Sequence, residues 1–151
     1  MIKLEDVYGV FLSKVGEDEW AGDYTQEDLI YFTKDWRVLL DSAIFYFKFP
    51  RCSVKIDEEN ECFIDRKMSG EEVEVLANWM KVLWLRRNID TWDNIKTQYS
   101  EAEFSQANLL KTFISLRQQV ESETKDAERI YYRSIEKKPF KFGKLCGRGG
   151  R

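Results

Sequence analysis

Between Ser69 and Leu85 (SGEEVEVLANWMKVLWL) apolar residues recur at helical spacing and cover most of the circumference. Val73, Leu76, Met80 and Leu83 make one stripe at three- and four-residue steps. Val75, Trp79 and Val82 lie beside it, and Ala77, Trp84 and Leu85 close much of the remainder. A helix apolar on most of its surface is buried by neighbours on several sides. The stretch is therefore predicted to be the central helix of a small helical domain. Ser69 and Glu72 mark its start, because a serine followed three residues later by glutamate satisfies exposed backbone donors reciprocally.

The same period predicts the other helices. Residues 3–15 place Leu4, Val7, Tyr8, Phe11, Leu12 and Val15 on one face, with Gly9 the weak point. After an acidic loop (GEDEWAG, 16–22), Thr25 with Asp28 signals a second capping box. The helix it opens carries Leu29, Phe32, Trp36, Leu40, Ala43 and Phe47, with Pro50 as its stop. Alternation in residues 52–65 predicts a hairpin turning at Glu58–Glu59, which sets Lys55 opposite Cys62 and Asp65 opposite Cys52. Past Leu85 the pattern fades at Arg86-Arg87-Asn88, predicting a bend and a separate short helix over 91–97. Ser105 is expected to cap the last and longest helix. Leu109, Phe113, Leu116, Val120, Thr124, Ala127 and Tyr131 form its seam, which thins to small residues after Val120. That thinning predicts a first half packed on the core and a second half that projects or meets another copy.

Composition narrows the class. The 151 residues are 43% hydrophobic and 15% aromatic, enough for a core. No apolar run approaches the ~18 residues of a membrane span, so no membrane partner is expected. Acids within MIKLEDVYGVFL predict no export signal, and three cysteines without a CxxC pair fit a reducing cytoplasm. Charge is divided along the chain. Residues 1–136 hold 18 bases against 27 acids, a net of −9, whereas residues 137–151 (KKPFKFGKLCGRGGR) hold six bases and no acid. Two units follow: a helical domain over 1–136 and a basic extended tail over 137–151. Pro139 and four glycines keep the tail from building a core of its own. Phe140, Phe142 and Leu145 among the bases suit a docking arm better than a purely solvating tail.

Candidate chemistry is sparse. The chain has no histidine, so Ser-His and Cys-His dyads and mixed zinc sites are excluded. Neither phosphate-loop glycine pattern occurs. The acids of DEENE lack the glycine and terminal glutamate of a calcium loop, and the remaining carboxylate pairs sit at caps or turns. A protein without enzymatic activity, metal or cofactor is expected. Six tail bases suit sequence-independent phosphate contact, but an acidic body repels a duplex laid across it, so sequence-specific DNA binding is not expected.

The order of EEVEVLANWMKVLWL, RRNIDTWDNIK and EFSQANLLKTFISLRQQVESE, preceded by LIYFTKDWRVLLDSAIFYF, resembles the head–tail connector (neck adaptor) proteins of tailed bacteriophages over roughly residues 3–133. The hairpin and the basic tail are less clearly shared. The resemblance implies a mainly α fold, a small bundle with a long C-terminal helix, one minor hairpin and an extended tail. It also implies a structural virion protein located in the neck, and in the host cytoplasm before assembly. Such adaptors form homo-oligomeric rings, commonly dodecamers, beneath the portal protein. They extend the channel through which packaged DNA passes, and they receive further neck or tail proteins. Their C-terminal segments reach into the portal. Carried onto this chain, that role falls to Lys137, Lys138, Phe140, Lys141, Phe142, Lys144, Leu145, Arg148 and Arg151. The alternative expectation is a phage-encoded cytoplasmic assembly chaperone or host-factor binder absent from virions.

Overall fold

Residues 2–16, 25–98 and 104–135 are described by the computed structural model of the chain, and they are mainly helical. Four helices, α1 (Leu4–Val15), α2 (Gln26–Tyr46), α3 (Gly70–Gln98) and α4 (Phe104–Ile135), accompany one hairpin of β1 (Ile56–Asp57) and β2 (Cys62–Phe63). The expected helical bundle with a long last helix and a small hairpin is thus the fold observed.

The predicted box at Thr25 is complete, and at Ser69 the half supplied by Glu72 is present. Thr25 accepts from the Asp28 amide at 3.3 Å while Asp28 accepts from the Thr25 amide at 3.0 Å. Ser69 donates its amide to Glu72 Oε2 at 2.9 Å just before α3 begins. α1 ends at Gly16, whose φ of +96° is a conformation that side chains with a Cβ rarely adopt. α2 ends at Tyr46, ahead of Pro50. Phe47 donates its amide to Ala43 O at 3.0 Å and is itself buried against Tyr131, so core packing terminates the helix before the proline is reached.

α3 is the centre, packing on each of the other three helices. Val73, Val75, Leu76, Ala77, Trp79, Met80, Val82 and Leu85 are all buried. Full burial of each large side chain contributes on the order of 1.5–3 kcal/mol. Asp35 of α2 pairs with Arg87 at 2.7 Å, and Tyr46 near the other end of α2 stacks on Trp79. Tyr8 of α1 meets Trp36, while Lys14 pairs with Glu74. Tyr131 of α4 reaches Glu72. These pairs set α1, α2 and α4 in one direction and α3 in the other.

Four sequence expectations are corrected. α3 runs without interruption to Gln98, so the bend at Asn88 and the separate helix 91–97 do not exist. Buried Ile89 continues the Leu85 side of the helix, and Arg87 is polar because it pairs with α2. Ser105 lies inside α4, which already begins at Phe104. The hairpin pairs Ile56 with Phe63 and Asp57 with Cys62, two residues out of the expected register. Its turn is longer, because Asp57 gathers the Glu59 amide and the Asn60 side chain and Glu61 adopts a φ of +47°.

The fourth correction concerns the second half of α4, which packs on the body rather than projecting. Val120, Thr124 and Tyr131 in its second half are buried, whereas Leu116 in its first half is 39% exposed. Trp79 of α3 donates its indole N–H to Glu128 at 2.9 Å, which holds this half of α4 on α3.

Candidate interaction surfaces

The C-terminal half of α4 is clamped by a buried polar node. Tyr131 Oη donates to Glu72 Oε1 at 2.7 Å and accepts from the Arg51 amide at 2.8 Å. The Arg51 guanidinium donates to the Tyr131 carbonyl, stands 4.1 Å from its ring centroid and pairs with Glu71 at 3.1 Å. Glu72 is almost wholly buried, which pushes its carboxyl pKa up. The hydrogen bonds from Ser69 and Tyr131 outweigh this and hold it below the usual glutamate range. Burial, with the Glu72 carboxylate beside it, raises the Tyr131 hydroxyl. Glu72 Oε1 thereby joins the start of α3 to the end of α4, while Oε2 is engaged by Ser69.

A groove opens between the end of α2, α3 and α4. Tyr46, Phe49, Trp79 and Tyr132 wall a cavity of about 370 Å³. A second cavity of about 130 Å³ continues it along Trp79, Val82 and Leu83. Its polar edge carries Glu121, Glu128, Lys48, Lys125, Arg86 and Arg117. Glu128 holds the Trp79 indole, and Glu121 holds Lys125 at 2.7 Å. The Lys125 ammonium, with Arg117 and Arg86 behind it, keeps the Glu121 carboxyl below its ordinary pKa. Arg117 Nε is buried without a hydrogen-bond partner among the described residues.

The exposed side of α2 is a separate apolar surface. Tyr31, Val38 and Phe45 stand seven residues apart, and Phe45 is 81% exposed. Sequence reasoning missed both surfaces. The heptad spacing of these three residues was a readable signal, whereas the groove joins residues from three helices. All nine residues expected to form the docking tail, Lys137 to Arg151, lie outside the described residues. α4 is described up to Ile135, four residues beyond the clamp at Tyr131.

Comparison of the chain with protein-family models, curated proteins and solved structures finds no match.

Proposed function

We propose that this chain is a structural virion protein of a tailed bacteriophage, a head–tail adaptor that forms a homo-oligomeric ring beneath the portal. The observation that carries the reading is the clamp of Glu72, Tyr131 and Arg51. It fixes the end of α4 on the acidic body, and the basic, aromatic residues 137–151 follow that end in the sequence. An arm tethered in this way loses less freedom on docking than one leaving from a frayed helix. An acidic body also suits a channel wall, since like charges keep passing DNA from adhering. The resemblance of the sequence pattern to neck adaptors supplies the partner, the portal protein.

Mass spectrometry of purified particles, with electron microscopy of the neck, tests the reading. The chain is expected in particles at the symmetry of the portal. Its presence only in infected-cell extract would replace the adaptor with a cytoplasmic helper. A chain ending at Glu136 is expected to remain helical yet fail to join portal-bearing heads.

A further inference from the structure

We propose that the groove between α2, α3 and α4 receives the acidic, aromatic segment 17–24 of a second copy of this chain, making a head-to-tail contact. The groove is locally basic on a body that is acidic overall. Among the described residues lining it, Lys48, Arg86, Arg117 and Lys125 face two acids, and both acids are already engaged by Trp79 and Lys125. Its walls are aromatic, and Phe49 at their edge is 71% exposed. The complementary ligand is a short acidic segment bearing aromatic anchors.

The chain carries such a segment. Residues 17–24 read EDEWAGDY, with four acids, no base, and Trp20 and Tyr24 as anchors. A chain's own copy of the segment cannot serve its own groove. Gly16 and Thr25 bound the segment, and because α1 and α2 run in the same direction these two residues stand at opposite ends of the helix pair. α2 has 21 residues and is ~31 Å long. Nine steps of chain reach about 30 Å at full extension. A tether of that reach has no slack for passing around α2 to the groove. The ligand is therefore supplied by a neighbour, and the contact joins two different patches. Repetition of such a contact closes a ring or extends a filament. The inference stands independently of the virion reading, although a ring of adaptors requires a contact of this kind.

The test is charge reversal in the full chain, read by sedimentation velocity at physiological ionic strength, where the repulsion between distant acids is screened. One variant carries Lys48→Glu and Arg86→Glu, both at exposed positions. The other carries Asp18→Lys and Glu19→Lys. The parent is expected to associate as concentration rises, without a plateau at dimer. Each variant alone should associate at least about tenfold more weakly. An equimolar mixture should recover association, because each reversed patch then meets its reversed partner. Trp20→Ala should weaken association without changing helicity by circular dichroism. A parent that stays monomeric at every concentration overturns the proposal. So do variants that associate like the parent, and a mixture that remains monomeric. Failure here would leave detection of the chain in particles unaffected, so the two readings fall separately.

Discussion

Tyr131→Phe removes one oxygen and leaves the packing in place, which isolates the clamp between α3 and α4. The ring keeps its contacts with Phe47 and Arg51, at 5.4 Å and 4.1 Å. Two hydrogen bonds are lost, one donated to Glu72 at 2.7 Å and one accepted from the Arg51 amide at 2.8 Å. A hydrogen bond to a charged group contributes about 1.5–3 kcal/mol, and a part-buried donor left unmade adds about 1 kcal/mol. The expected loss is therefore about 2–4 kcal/mol, read as a lower urea midpoint with an unchanged slope in circular dichroism. pH supplies a second check. Because Glu72 titrates below its usual range when folded, its contribution is present above the unfolded value of about 4.3. It is lost as pH falls through the lower folded value. The gap between parent and variant should hold at neutral pH and narrow in acid. A midpoint shift worth less than about 0.5 kcal/mol at neutral pH would refute the clamp.

Trp79→Ala should cost about 3–5 kcal/mol, since the indole is buried, stacks on Tyr46 and holds Glu128. A variant melting like the parent would remove α3 from the centre of the fold. Ile89→Ala should cost about 2–4 kcal/mol because α3 continues through this position, whereas a helix ending at Asn88 predicts almost no change in thermal stability. For the proposed portal contact, Phe140→Ala and Phe142→Ala should each weaken binding by about 2 kcal/mol in a titration against portal rings. Replacing Lys141 or Lys144 should instead slow association.

Local rules were sufficient wherever the deciding partner was three or four residues away. The box at Thr25, the bond of Ser69 to Glu72, the face of α1 and the wide apolar surface of α3 all follow from spacing alone. The division of charge between residues 1–136 and 137–151 is likewise a property of the sequence. Spacing failed where a distant partner decided the outcome. Arg86-Arg87-Asn88 reads as a break, yet Asp35, 52 residues earlier, turns Arg87 into an interhelical pair within a continuous helix. Thr124 and Ala127 read as a fading seam, yet Thr124 is buried and Glu128, four residues on, holds Trp79 of α3. Glu72 reads as a cap alone, and only packing brings Tyr131, 59 residues away, onto its second oxygen. The groove combines a helix end, a helix middle and a helix face, so no single window of sequence contained it. Hydrogen bonds along a helix are specified by neighbours in the chain. The choice of which faces meet belongs to the tertiary structure, because it depends on shape and charge that only the assembled helices possess.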